Sequence, residues 1–270
     1  MSFSAIRTAT SKPQTAFGFW LTIPSAPVAK QFLRTTATHP SGGFSWVLVD
    51  AEHGLISDQH YYDLCSAIAA EGASPIIRIP WAEEWMIKRA LDSGAHGVLT
   101  PMCHTAADAQ KIVSFSKYPP TGTRGYGPLF THHCFPGIQP GPAYDDAADG
   151  GLMVMVQIES RQGVENVEEI TKVEGLDGVL IGPFDLAKSM GVERGGEQHE
   201  AAIQRILKAA KDAGKQAAIF CTGGDDAKKR ADQGFDMVSI VTDIGVITAG
   251  MISQLSTASA SSAGKAVGGY

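Results

Sequence analysis

Short apolar runs recur along the chain at 15–21, 46–50, 75–79, 97–100, 152–158, 178–182, 216–220 and 237–241. Some are apolar at every position, as in Leu152-Met153-Val154-Met155-Val156, which suits strands covered on both faces. Between the runs, apolar residues return at helical spacing: Tyr61, Leu64, Cys65, Ile68 and Ala69 in one segment, Ala202, Ile203, Ile206, Leu207 and Ala210 in another. Strand and helix in alternation predict a parallel sheet with crossover helices. Eight such units in 270 residues, undivided by any Pro/Gly/Ser linker, predict one α/β domain over 1–255, a (β/α)8 barrel of the TIM type. A doubly wound open sheet is the alternative, but no GxGxxG follows the first strand to favour it.

Two stretches break the rhythm. Residues 118–151, rich in Gly, Pro and aromatics, separate the fourth helix from the fifth strand. A connection this long in a compact domain is usually functional or disordered, and its aromatics with Arg124 favour order. Residues 256–270 are Ser/Ala/Gly-rich and read as a flexible tail.

Composition narrows the partners. With 44% hydrophobic and 19% charged residues the chain can bury a substantial core. A net charge of -6 argues against nucleic acid or an anionic membrane surface and favours a small-molecule ligand. Cys65, Cys103, Cys134 and Cys221 form no CxxC pair, so neither a zinc knuckle nor a disulfide framework is expected. Together with an N-terminus lacking an apolar h-region and no run long enough to span a bilayer, this predicts a cytoplasmic protein.

Chemistry gathers at the strand exits, where active sites of such barrels lie. Val156-Gln157-Ile158-Glu159-Ser160 and Ile181-Gly182-Pro183-Phe184-Asp185-Leu186 each end an apolar run in a carboxylate. Exits of successive strands are neighbours, so Glu159 and Asp185 can share a cation. Two carboxylates without a His ligand point to a hard ion that keeps several waters, magnesium or manganese before zinc or cobalt. Gly182-Pro183-Phe184 also opens a helix whose first N–H groups suit a carboxylate or phosphate, although an ordinary turn reads almost the same. Asp50-Ala51-Glu52-His53 follows the second run and offers His53 as an acid or base. Arg78, inside Ile76-Ile77-Arg78-Ile79-Pro80, would be desolvated without an anionic partner, and is expected to face the mouth and hold an oxyanion. Asp92, at the end of the third helix, is a candidate to orient His53.

These motifs, with Leu91-Asp-Ser-Gly-Ala-His-Gly-Val-Leu-Thr-Pro-Met and Tyr118-Pro-Pro-Thr-Gly-Thr-Arg-Gly-Tyr-Gly, occur in the order found in a known family. The chain resembles the metal-dependent class II 2-keto-acid aldolases of the HpcH/HpaI type, within the pyruvate/phosphoenolpyruvate barrel superfamily, from about Phe17 to Gly250. The resemblance implies that Glu159 and Asp185 bind a divalent ion, that Arg78 holds the keto or enolate oxygen, and that His53 and Asp92 form an acid–base dyad. It further implies that Gln157 lies beside the keto group and that the backbone after Pro183 takes the pyruvate carboxylate. The implied reaction is reversible cleavage of a 4-hydroxy-2-keto acid to pyruvate and an aldehyde. No Schiff-base lysine ends any of the runs named, in agreement with a metal mechanism. Decarboxylation of oxaloacetate, or enolate coupling of the macrophomate synthase kind, is the alternative on the same centre. The resemblance also implies a homo-oligomer, trimer or hexamer, whose C-terminal helix is exchanged; here that helix is Ile244 to Leu255, with Ile247, Met251 and Leu255 on its apolar stripe. The pattern departs after Arg124-Gly125, where Tyr126 to Phe135 replaces small residues and a second arginine, so His132 and His133 are candidates for a different acceptor or are simply solvated.

Overall fold

The computed structural model describes residues 14–40 and 42–259. Eight parallel strands close into a barrel in chain order: β1 (Ala16–Leu21), β2 (Trp46–Asp50), β3 (Ser74–Arg78), β4 (Gly97–Thr100), β5 (Met153–Ile158), β6 (Gly178–Ile181), β7 (Gln216–Phe220) and β8 (Met237–Thr242). The barrel expected from the sequence is present. Crossovers carry α1 (Ala26–Thr36), α2 (Asp58–Ala70), α3 (Glu84–Asp92), α4 (Ala106–Ser116), α5 (Pro142–Gly151), α6 (Arg161–Glu165), α7 (Val167–Thr171), α8 (Pro183–Met190), α9 (Glu197–Asp212) and α10 (Gly224–Asp232), and α11 (Asp243–Ala258) follows β8. Several helices start where a side chain supplies a missing acceptor: Thr105 accepts from the Asp108 N–H and Ser160 from the Gly163 N–H.

Strand parity sorts the core into two layers. Ala16 and Trp20, Trp46 and Leu48, Met153 and Met155, with Ile76, Leu99, Leu180, Ala218 and Met237, form one buried cluster. It fills the barrel. The opposite strand faces, with Val47, Val49, Ile77, Val154 and Val156, pack under the helices in a larger cluster. Each fully buried Leu, Ile or Val contributes roughly 1.5–3 kcal/mol. Gly18 makes room inside, since a Cβ there would collide with the Trp46 indole.

The 118–151 connection is ordered, and it contains more than a loop. Arg124 is buried at its centre, 4.5 Å from the Tyr118 ring and 2.6 Å from Asp92. A 3-10 turn at Thr131–Cys134 follows, then α5, a helix not expected from Pro-Ala-Tyr-Asp-Asp-Ala-Ala-Asp-Gly-Gly, which has no apolar stripe to announce it. His96, buried at the foot of β4, ties the turn down through its Nε2 contact of 2.7 Å with the Cys134 carbonyl. Burial pushes the His96 pKa down to about 4, so the ring is neutral.

α11 also corrects the boundary at the C-terminus. Ser256 to Ala258, assigned to the tail, continue the helix, while 260–270 lie outside the described residues. Its base is anchored by the Asp243 carboxylate, which accepts from the backbone N–H groups of Thr22 at 2.8 Å and Ile23 at 2.9 Å. Beyond Asp243 no residue of the helix is buried; Ile244, Val246, Met251, Ile252 and Leu255 are exposed. The four cysteines are free and buried, in line with the absence of a disulfide framework. Among the described residues, no helix is long and apolar enough to cross a membrane.

Candidate active site

The parity that fills the barrel also aims the functional groups. Trp46 and Leu48 face inward, so Asp50 is next in the same file; Ile76 is followed by Arg78, Met153 and Met155 by Gln157 and Glu159, Leu180 by Gly182. Asp50 and Arg78 are register partners across β2 and β3. At the barrel mouth the apolar filling therefore gives way to a ring of polar side chains.

On the β2 and β3 side, the Asp50 charge is matched by the protein itself. Arg78 donates from Nε to Asp50 Oδ1 at 2.9 Å and from Nη2 to Asp50 Oδ2 at 2.7 Å, a bidentate pair, while its Nη1 lies 2.9 Å from Glu52 Oε2. The Trp20 indole donates to Asp50 at 3.0 Å and its ring lies 4.8 Å from the guanidinium. The backbone N–H groups of Glu52 and His53 also reach Asp50 Oδ1, at 3.1 and 3.2 Å. Burial pushes the Asp50 carboxyl up, but Arg78 and then Trp20 outweigh it and hold the group below its ordinary value. Arg78 thus has its anionic partner within the chain. Asp50 was not among the expected site residues, although a carboxylate and a guanidinium ending adjacent strands were visible in the sequence.

The β5 and β6 side is acidic and unbalanced. Glu159 is 3% exposed. It accepts from the Met102 N–H at 2.9 Å and, closely, from the Gln157 amide. Burial raises its pKa, the two donors oppose, and the charges of Glu52 and Asp185 raise it further. Glu52 is likewise raised, first by burial and then by Asp50 and Asp185 against the pull of Arg78. Gln157 Oε1 is buried with no hydrogen-bond partner among the described residues. A Cβ on Gly182 would strike Glu159 Oε2 and come within 2.6 Å of Gln157 Nε2, so only glycine lets the start of α8 close on these groups. Met102, the donor to Glu159, has φ of 55°, the one positive value of a non-glycine residue among the described residues. Strain of this kind collects at functional sites, and nothing in the sequence announced it.

Asp185 stands in the first turn of α8, which opens at Pro183. Among the described residues no group of three or more His, Cys, Asp or Glu is arranged as a metal cage. The donor set nevertheless suits a hard cation. A buried carboxylate whose acidic neighbours push up its pKa is relieved by positive charge, and two protein oxygens leave room for water and substrate.

His53 projects from the exit of β2 with most of its side chain exposed, 3.7 Å from Glu52 Oε1. The expected His53–Asp92 contact is not formed within the chain. Asp92 instead accepts from the buried Arg124, because the 118–151 segment folds back over the end of α3 and brings a guanidinium to it. His133 does not join the strand-exit residues either; its Nδ1 lies 2.8 Å from the Tyr62 hydroxyl of α2.

Comparison with known proteins bears on the family and the fold. The family model of HpcH/HpaI aldolase/citrate lyase matches residues 26–249. The chain belongs to this family. Membership makes it a carbon–carbon lyase. A hydroxypyruvate/pyruvate aldolase of Roseobacter denitrificans is 34% identical over 240 residues, covering 88% of this chain and 90% of the relative. A 5-keto-4-deoxy-D-glucarate aldolase of Klebsiella pneumoniae is 33% identical over 236 residues, covering 86% and 88%. Among solved structures, an HpcH/HpaI aldolase/citrate lyase family protein from Burkholderia cenocepacia J2315 superposes with a TM-score of 0.84 at 27% identity, covering 96% of this chain and all of that one. Within this HpcH/HpaI-family barrel, the paired Asp50 and the unpaired Glu159 both lie at the strand ends where the fold hosts its chemistry.

Proposed function

We propose that the chain is a divalent-metal-dependent aldolase that cleaves or forms a 4-hydroxy-2-keto acid, with pyruvate or hydroxypyruvate as the keto-acid partner of an aldehyde. The observation that carries this reading is the buried, acid-flanked Glu159 set beside the first turn of α8 and sharing one mouth with Arg78. Glu159 and Asp185 would hold the ion, magnesium or manganese before cobalt or zinc. Bound there, a divalent ion supplies positive charge for an oxygen that becomes anionic as the carbon–carbon bond breaks.

The residues of the chain do the rest. The first turn of α8 offers helix N-terminal donors to the substrate carboxylate. Arg78, held rigid by Asp50 and Trp20, adds a guanidinium that needs no reorganisation as negative charge develops on the keto oxygen. Gln157 keeps Glu159 oriented. In the cleavage direction the C4 hydroxyl must lose its proton, and His53, exposed at the mouth with Glu52 beside it, is the base for that step. The unmatched apolar residues of α11 support a homo-oligomer, trimer or hexamer, in which that helix is covered by another copy.

The experiment is pyruvate release from 4-hydroxy-2-oxoheptanedioate and from oxaloacetate, with magnesium, manganese or EDTA, in wild type and His53→Ala. Metal-dependent cleavage of the hydroxy-keto acid that collapses in the variant is the expected result. Turnover of oxaloacetate alone, surviving the substitution, would make the reaction a decarboxylation on the same residues.

A further inference from the structure

The orientation of the first turn of α8 is set partly from outside the barrel. His199, in the first turn of α9, is 1% exposed and bonds two separate stretches of backbone. Its Nδ1 receives the Gly195 N–H at 3.1 Å, and its Nε2 lies 2.9 Å from the Pro183 carbonyl. A backbone N–H only donates, so Nδ1 is the bare nitrogen and the proton sits on Nε2, donating to Pro183. Burial, as the largest influence, disfavours the cationic ring; the carbonyl of Pro183 and the charge of Glu200 on α9 oppose this, while Arg230 on α10 and Arg194 in the α8–α9 connection reinforce it.

Pro183 is the first residue of α8. Because the peptide unit is planar, a hydrogen bond that holds the Pro183 carbonyl also holds the plane of the peptide that follows it. That plane belongs to the turn which reaches the acidic half of the site through Gly182, packed on Glu159 and Gln157. The ring therefore acts at a distance from the reacting atoms. It also borders a cavity of about 300 Å³ lined by Pro183, Arg194, Glu200, Thr222 and Lys229, so the turn has open space beside it to yield into.

We propose that His199 is a positioning residue for the keto-acid carboxylate, acting through the Pro183 carbonyl to keep the first turn of α8 in its receiving pose. The inference rests on the reading that this turn receives the carboxylate. Losing one buried hydrogen bond of this kind corresponds to about tenfold in affinity.

The test uses oxalate, a planar dianion of similar size to the pyruvate enolate, titrated into the manganese-loaded enzyme. In His199→Phe, which keeps a ring and removes the donor, the oxalate Kd and the keto-acid KM are expected to rise about tenfold, with kcat changed less than about threefold. His199→Gln, which keeps an amide donor, should recover most of the loss, and manganese affinity without oxalate should match wild type in both variants. Equal oxalate affinity in wild type and His199→Phe would overturn this inference alone, as would a fall in kcat at constant KM. Absence of oxalate binding in wild type would overturn the carboxylate reading and the inference with it. Should His199→Phe fail to fold, nitrogen-15 spectra of the wild-type histidines decide instead: a His199 ring protonated on Nε2 supports the latch, and one protonated on Nδ1 excludes it.

Discussion

Two halves of one barrel mouth carry buried carboxylates and treat them differently. At the exits of β2 and β3, Asp50 is enclosed by Arg78, Trp20 and two backbone N–H groups, and its pKa falls. At the exits of β5 and β6, Glu159 has an amide and one backbone N–H but, among the described residues, no cationic side chain, and its pKa rises. The contrast assigns different work to the two halves. A charge that the fold has already neutralised is a rigid template, ready before substrate arrives. A charge left unneutralised would, on the proposed function, take its counter-ion from solution, with the free energy of that uptake available for binding.

The contrast can be tested by removing one charge from each half. Glu159→Ala should have the largest effect, a loss on the order of 10²–10³ in kcat together with loss of manganese binding by calorimetry; turnover with manganese affinity intact would dissolve the distinction between the halves. Next is Asp50→Asn, which leaves Arg78 buried with its main partner neutral and should cost about 3–5 kcal/mol in denaturant unfolding. An unchanged unfolding midpoint would mean that the Asp50–Arg78 pair is not the rigid template described above.

Metal addition comes third. At a hundred times its Kd, magnesium should stabilise the wild-type chain by about 2.7 kcal/mol and stabilise Asp185→Asn much less. Because the Glu159 carboxyl is raised, protons compete with metal from higher pH than for an ordinary glutamate, so the apparent affinity should fall as pH is lowered toward the carboxylate range. A flat affinity through that range would exclude Glu159 as a ligand.

The smallest effect is the most diagnostic in sign. A group whose folded pKa is raised is held less favourably in its charged form than in the unfolded chain, so its charge weakens the metal-free fold at neutral pH. Glu159→Gln should therefore raise the melting temperature of the metal-free protein, by about 2–4 °C for each kcal/mol relieved, whereas Asp50→Asn lowers it. The same sign in both variants would refute the comparison.

Much of this arrangement was legible in the linear chain. The strand runs fall within a residue of their observed limits because strands covered on both faces are apolar throughout, and Glu159, Asp185 and Arg78 stand out by interrupting or ending such runs, whereas Gln157 is named only through the family resemblance. α5 was not legible, since a short helix without an apolar stripe has no period to detect. The partner of Asp92 was hidden for another reason: Arg124 lies 32 positions away in a segment whose path depends on packing.

By itself, then, the sequence determined the barrel, the polar groups at its strand ends and the family resemblance, because these rest on local periodicity and on the order of motifs. Tertiary structure alone decided which charges are paired. It joined Arg78 to Asp50 and Asp92 to Arg124, left Glu159 among acids, and turned His199 onto the start of α8. The physical reason is that burial and charge pairing depend on distances between side chains from different strands and helices, and those distances exist only once the barrel has closed.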